Sequence, residues 1–278
     1  MTLPELSIIT VSYNDPAGLE ATLRSLRPLE STQLSWEHIV VDSSPAINKE
    51  VVKSVSTHWP LKYVEDVPPQ GIYSAHNLGA NSSSGKYIWF LNGGDLLADI
   101  EIFKKVFAYL AEKTHLDLLC AGMGHIRHGK FLYSSRPAQT FSKSLLGANR
   151  IYHPSMIYKK ASFEKVGPFD TQFPIAADYD HHFRCYFEGL NVECVSDVLS
   201  HHDTSGLSSE SYKKALGEVA LIHQKARKKL PFHLALKDWV GEKKESLRIN
   251  TIKRLAKTSI GKQARPLWIW YKNRIQKF

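Results

Sequence analysis

Residues 86–95 read KYIWFLNGGD. An apolar, partly aromatic run of strand length leads at once into Asn92, two glycines and a carboxylate. Continuous apolar runs of this kind suit a strand in a parallel sheet that is covered on both faces. Working outward, LSIITVSY at 6–13, EHIVVD at 37–42 and LKYVE at 61–65 predict three more strands. Asn14, Asp15 and Pro16 break the first of these and open a helix marked by Leu19, Leu23 and Leu26. Segments 48–56, 72–82 and 103–113 read as further helices. Strands alternating with helices over the first 115 residues predict βαβ units and a mostly parallel sheet flanked by helices. Ligands of such sheets bind outside the carboxyl ends of the strands. Tyr13, Asn14, Asp42, Glu65, Asp66 and Asp95 all fall at those ends.

Beyond 115 the pattern is mixed. Segments 116–123 and 130–135 predict a hairpin or sheet extension, and 155–160 another strand. A short helix within 161–170 is closed by Gly167 and Pro168, and a helix over 178–188 is ended by Gly189. Residues 191–203 predict a last strand, and after Ser208 the chain becomes helical and basic.

The chain has 278 residues, of which 43% are hydrophobic and 23% charged, which excludes wholesale disorder and a membrane bundle. Cys120, Cys185 and Cys194 are too few and too scattered for a disulfide framework or a zinc site, and fit a reducing compartment. No run of 18 apolar residues is present and the first residues lack a basic, then apolar, leader pattern, so a cytoplasmic protein is expected. The net charge of +9 is uneven: residues 213–278 hold 18 of the 36 Lys/Arg but 4 of the 27 Asp/Glu. A single-sign block meets an anion or forms a solvated helix face.

Asp95, presented by a strand through two glycines, is a hard oxygen ligand suited to Mg²⁺ or Mn²⁺ carrying a diphosphate. As an Asp before a helical segment it also fits a helix N-cap. In the run from Gln70 to Gly79, Tyr73 and Asn77 share one helix face. Asp178 and Asp180, two apart, point to different faces, so one could serve as general base while the other supports structure. First-turn acids also interact favourably with the helix dipole without any catalytic part. His202 could reach a diphosphate or its metal, and His153 is a similar case, whereas His181 and His182 read as packing groups.

Taken together, SIITVSYND, VVDSS, QGIYSAHNLGANSSSGKYIWFLNGGD, GPFDTQFPIAADYD and DTSGLS resemble the family 2 glycosyltransferases, in particular bacterial enzymes of capsule, O-antigen or exopolysaccharide synthesis. The resemblance covers about residues 5–210. It implies a GT-A fold, Rossmann-like, over 1–212, with a nucleotide-binding half at 1–115 and an acceptor-binding half at 116–212, followed by the basic helical extension 213–278. It implies an inverting single displacement from a UDP-, GDP- or dTDP-linked sugar to a saccharide or lipid-linked acceptor. Ser12, Tyr13, Asn14 and Asp42 would line the nucleotide pocket. Asp66, Gly71, Tyr73 and Asn77 would flank the diphosphate-sugar, and Asn92, Gly93, Gly94 and Asp95 stand where the family carries its DXD metal motif, with His202 as a second candidate metal ligand. Here the first acid of that motif is Asn92, and the Glu that often precedes the base is Ala177. Asp178 matches the base, and Thr204–Ser208 a loop closing near the donor. Lipid-linked acceptors would place 213–278, with its Trp268, Trp270 and Tyr271 among basic residues, on the anionic inner face of the cytoplasmic membrane. Self-association is carried as a further option. The alternatives are a non-catalytic nucleotide-sugar-binding module and a nucleic-acid-binding protein. No nucleic-acid-binding motif accompanies the basic tail, and a dinucleotide dehydrogenase is disfavoured because no GxGxxG follows the first strand.

Overall fold

The computed structural model describes residues 3–55, 60–146, 151–204 and 212–256. Among these, nine strands form one mixed sheet flanked by helices. Its first half alternates as the sequence predicts: β1 Leu6–Ser12, α1 Pro16–Leu26, β2 Trp36–Asp42, α2 Pro45–Val55, β3 Leu61–Glu65, α3 Ile72–Ser82 and β4 Tyr87–Phe90. Then follow β5 Leu96–Leu97, α4 Ile100–Glu112, β6 Leu118–Arg127, β7 Lys130–Ser135, α5 Phe141–Leu145, β8 Met156–Lys159, α6 Lys160–Val166, α7 Ala177–Phe187 and β9 Val192–Asp203. Helices α8 Tyr212–Arg227 and α9 Phe232–Ala256 complete the described chain.

The strand order is β3-β2-β1-β4-β8-β6-β9-β5, with β7 paired to β6. β3, β2, β1 and β4 run parallel, whereas β8 is antiparallel to both β4 and β6. The register aligns the strand ends: Ser12 pairs with Asp42, and Asp42 with Glu65. The hydrogen bond from Gly93 N to Val11 O, at 2.9 Å, brings the turn after β4 to the same rim.

Continuous apolar strands work here because alternate residues enter two different cores. Ile9, Val11, Ile39, Val41, Ile88 and Phe90 face one core, shared with α3, α7 and α8. Leu6, Ile8, Val40 and Trp89 face the other, closed by the leucines of α1 and by Phe103, Val106, Phe107 and Leu110 of α4. The helix boundaries differ from the sequence reading at their starts. Helix α2 begins at Pro45, and α4 at Ile100, where Asp99 accepts from the amides of Glu101 and Ile102. Asp95 is therefore not a helix cap; it leads into β5, a strand of two residues that the sequence reading did not contain.

Helix α8 does not stand apart from the sheet domain. Ile222, Ala226 and Leu230 join the core beneath α7, and Tyr179 Oη meets His223 Nε2 at 2.9 Å. Among the described residues no helix is long and apolar enough to cross a membrane. Residues 257–278, with Trp268, Trp270 and Tyr271, and residues 205–208 of the expected closing loop lie outside the described residues.

Candidate functional site

The rim of the parallel strands is held by a compact polar network. Asp42 is fully buried; its Oδ1 accepts from Ser44 N at 2.9 Å and Asn48 Nδ2 at 2.8 Å, and its Oδ2 accepts from the Tyr63 hydroxyl. Burial and the neighbouring Asp42 carboxylate push the Tyr63 hydroxyl well above its ordinary pKa, so it remains a donor. Asn48 also reaches Ser12 Oγ at 3.2 Å. Asp66 Oδ2 accepts from Ser43 Oγ at 2.7 Å. Asn14 takes a positive φ of 51° with its amide on Ser44 Oγ, and Tyr13 beside it is exposed. Ser12, Asp42, Ser44, Asn48 and Asp66 are buried, and of the residues named here Tyr13 and Asn14 are the exposed ones.

The turn Asn92–Asp95 is fixed from α1. Thr22 Oγ1 lies 2.7 Å from Asp95 O and accepts from Gly94 N at 2.9 Å. Gly94 has φ 94°, a conformation that a side chain would strain. A Cβ on Gly93 would stand 3.3 Å from Ser12 Oγ, so the turn packs directly on the end of β1. A Cβ on Gly94 would lie 3.9 Å from Asp15 Oδ2 and 4.0 Å from Asp203 Cβ. Thr22 was not singled out in the sequence, and Asp203 entered there as the first residue of the DTSGLS run. Thr22 is one polar residue in a leucine-rich helix, and its partner at Asp95 is 73 residues away.

Asp95 is 2% exposed. Its Oδ1 meets His202 Nδ1 at 2.7 Å, while Oδ2 is buried with no partner among the described residues. An orphaned carboxylate oxygen is costly unless something occupies it. Burial opposes the charged form of His202, but Asp95, Asp203 and Asp178 together raise its pKa. His202 spends Nδ1 on Asp95, so its contact is with the carboxylate rather than at that atom with an ion. Among the described residues no group of three or more His, Cys, Asp or Glu is disposed to hold a metal ion. The donor set fits an ion bound through one protein carboxylate with substrate phosphates and water completing its shell, the usual pattern for Mg²⁺.

Two expected ligand contacts are turned inward. Asn92 Oδ1 meets His76 Nε2 at 2.7 Å; as an amide oxygen can only accept, His76 donates there. Burial lowers the His76 pKa to about 4, so the ring is neutral and this is a structural bond. Asn77 places both ends of its amide on the backbone of Phe169, at 2.9 Å each, and so staples α3 to the loop before α7. The amide oxygens of both residues are thus held by protein partners. Gly71, with φ 102°, starts α3 in a conformation that favours glycine.

Tyr73 reaches from α3 to the start of α7. Its hydroxyl lies 2.8 Å from Asp178 Oδ1 and 2.9 Å from Ile175 O. Burial raises the Asp178 pKa above the ordinary carboxylate value; hydrogen bonds from Tyr73 and backbone amides oppose this, and the charge of Glu218 adds to it. Asp178 is the second residue of α7, and no side chain caps that helix. Asp180 on the other face pairs with Arg184 at 2.9 Å. His181 and His182 are buried, and burial holds His182 at about 3 and His181 well below its ordinary value. His153 is likewise packed among Phe90, His76 and Phe169.

The sequence model of the glycosyl transferase family 2 matches residues 7–176, which carry the ends of the parallel strands and the Asn92–Asp95 turn, while Asp178 and His202 lie beyond the matched span. Among curated relatives, the uncharacterized glycosyltransferase Rv1514c of Mycobacterium tuberculosis is 29% identical over 223 residues, covering 77% of this chain and 80% of that one. A PGL/p-HBAD biosynthesis glycosyltransferase of Mycobacterium bovis is 26% identical over 215 residues, covering 75% and 81%. Among solved structures, S. aureus TarS 1–349 in complex with UDP superposes with a TM-score of 0.65 at 20% identity, covering 95% of this chain and 78% of that one. The match to the longer TarS chain spans 39% of its length. The mannosyltransferase PcManGT of Pyrobaculum calidifontis, in complex with GDP-Man and Mn2+, superposes at 0.60 with 16% identity, covering 100% and 89%. A parallel nucleotide-type half sheet, an acidic turn at its rim and a match over most of the sheet domain lead to one assignment: this chain is a transferase and belongs to glycosyltransferase family 2.

Proposed function

We propose that the chain is an inverting glycosyltransferase that moves a sugar from a nucleoside-diphosphate donor to a saccharide or lipid-linked acceptor of surface polysaccharide synthesis. The carrying observation is the buried Oδ2 of Asp95, which has no partner among the described residues, beside a His202 whose pKa both Asp95 and Asp178 raise. Ser12, Asp42 and Asp66 mark the nucleotide side; Gly93 seats the turn on β1, and Gly94, where a Cβ would meet nothing nearer than 3.9 Å, lets the donor approach the backbone. A divalent ion held at Asp95, Mg²⁺ or Mn²⁺, would supply charge neutralisation and Lewis-acid assistance to the leaving diphosphate. Asp178 takes the proton of the acceptor hydroxyl as that oxygen attacks the anomeric carbon. Tyr73 donates to Asp178 meanwhile and fixes the direction of the carboxyl group.

Relatives of the fold are seen with UDP, UDP-GlcNAc and GDP-Man, which supports a nucleotide-sugar donor here without choosing the sugar. A thermal-shift screen of UDP-, GDP- and dTDP-sugars with and without Mn²⁺ tests the reading. Ligand at about 100 times its Kd stabilises by about 2.7 kcal/mol, so one donor class is expected to raise Tm clearly, more so with Mn²⁺, and to lose this in Asp95→Ala. A Tm indifferent to every donor, or to EDTA and Asp95 together, removes the assignment. Donor binding without any release of nucleoside diphosphate would favour a non-catalytic binding module instead.

The basic extension supports a second proposal, attachment to an anionic leaflet, at about 1 kcal/mol per Lys or Arg near the surface. Because α8 packs into the core, the informative truncation is after residue 256 rather than after 212. Sedimentation with vesicles containing anionic lipid is expected to carry the full chain and to leave the truncated one behind. Equal sedimentation of both would refute attachment through residues 257–278, which hold 6 of the 18 Lys/Arg of the extension.

A further inference from the structure

The Glu218 carboxylate on α8 accepts two backbone amides, Ile175 N and Ala176 N, both at 2.9 Å from Oε2. These amides precede α7, which carries Asp178 and lacks a side-chain cap. The peptide between Ile175 and Ala176 is thus bonded at both ends. Its N–H points to Glu218, and its carbonyl, opposite in a trans peptide, lies 2.9 Å from the Tyr73 hydroxyl. That hydroxyl also lies 2.8 Å from Asp178 Oδ1. The outcome is one continuous path, Glu218 to peptide to Tyr73 to Asp178. Tyr73 has one proton for two acceptors, so it can serve only one of them fully.

We propose that Glu218 is a positioning residue for the proton-accepting step, acting on Asp178 through the 175–176 peptide and the Tyr73 hydroxyl. The inference rests on the reading of Asp178 as base. Before reaction, Asp178 is ionised and the Tyr73 proton points at it. As the acceptor O–H bond breaks, its proton passes to Asp178, its electron pair forms the new glycosidic bond, and the nucleoside diphosphate leaves with the electrons of the old one. Tyr73 then turns its hydrogen to Ile175 O. A carboxylate on the far side of that peptide polarises it and strengthens its oxygen as acceptor, since chained hydrogen bonds reinforce one another. The turn of Tyr73 is thereby made easier.

A second observation agrees. Glu218 Oε1 is buried and has no partner among the described residues. A helix start could be capped by a neutral side chain at less cost. The negative charge of Glu218 also raises the pKa of both Asp178 and Tyr73, after burial has done so. The other groups that act on or feel Asp178 are Tyr73 from α3, His202 from β9 and Tyr158 from β8.

The test uses the full chain and release of nucleoside diphosphate from the nucleotide sugar that raises its Tm. E218Q retains an oxygen for both amides and loses only the charge; E218A loses both. Turnover is expected to fall roughly tenfold in E218Q and up to about a hundredfold in E218A, less than the roughly 10²–10⁴-fold for loss of the general base itself. The donor KM should change less than about twofold, as for an interaction felt only in the transition state. The acid limb of the E218Q pH profile should move to lower pH. Because the path runs through Tyr73, E218Q should cost little further in a Y73F background, the non-additivity expected of coupled groups. Additive effects of E218Q and Y73F, or an E218Q enzyme with wild-type turnover and pH profile, overturn the proposal. D178N separates the two levels. If D178N stays active, the base assignment fails and this inference with it. If D178N is inactive while E218Q is normal, only the role of Glu218 fails.

Discussion

Asp178→Asn is expected to lower transfer by about 10²–10⁴-fold, the scale of a lost general base, while leaving the donor-induced rise in Tm intact. The amide is nearly isosteric and can still accept from Tyr73, which lies 2.8 Å from Asp178 Oδ1, so geometry is preserved and only basicity is removed. The sign of the pH dependence follows from the raised pKa. Burial, with Glu218 adding to it, favours the protonated carboxyl. Activity should therefore fall on the acid side at a pH above that of an ordinary Asp, near 3.9. The linkage runs in the same direction. A carboxyl whose folded pKa lies above its unfolded value burdens the folded state when ionised and relieves it as pH falls through the folded pKa. The neutral Asn removes that burden, so Tm at neutral pH should equal or exceed that of the parent. Simultaneous loss of donor binding and turnover would show that Asp178 serves binding rather than proton transfer.

The fold was legible because its central strands are apolar on both faces. Ile8 and Ile9, or Trp89 and Phe90, are neighbours in sequence yet enter opposite cores, and such pairs announce a covered parallel strand. Strand β5 was not legible: two residues carry no period, and Leu96 and Leu97 become a strand only by pairing with His201 and Ser200. Asp95 could be singled out because a strand delivers it to a rim. The choice between cap and ligand could not be made until Asp99 proved to cap α4. The resemblance made Asn77 and Asn92 candidates for the donor side, but a sequence gives residue type and not what lies opposite. Phe169, 92 residues on, and His76, 16 residues back, claimed them. Glu218 was invisible for the same reason. It sits in a basic helix as a lone acid, and its meaning lies in two amides 42 and 43 residues earlier.

Asp238→Ala is expected to be the most destabilising of the substitutions considered. Asp238 is fully buried, receives His223 Nδ1 at 2.8 Å and Arg227 Nη1 at 3.3 Å, and ties α9 to α8. His223 in turn meets the Tyr179 hydroxyl through Nε2 at 2.9 Å, so the link continues into α7, one residue from Asp178. Removing one member of a buried ionic cluster strands the others and costs about 3–5 kcal/mol. At roughly 2–4 °C per kcal/mol for a domain of this size, Tm should fall by on the order of 10 °C. Asp238→Asn, which keeps an acceptor for His223, should recover part of the loss. Breaking the surface pair Lys53–Glu50, whose side chains are 61% and 81% exposed, should change Tm little. A melting curve for Asp238→Ala that matched the surface variant would mean that α9 contributes nothing to the hold on α7. The contrast with Glu218 is what makes the measurement informative. Both residues connect the C-terminal helices to the start of α7, but Asp238 bonds side chains, whereas Glu218 bonds the peptide whose carbonyl faces Tyr73. Loss of Asp238 should therefore appear in Tm with turnover preserved well below the transition, and loss of the Glu218 charge in turnover at nearly constant Tm.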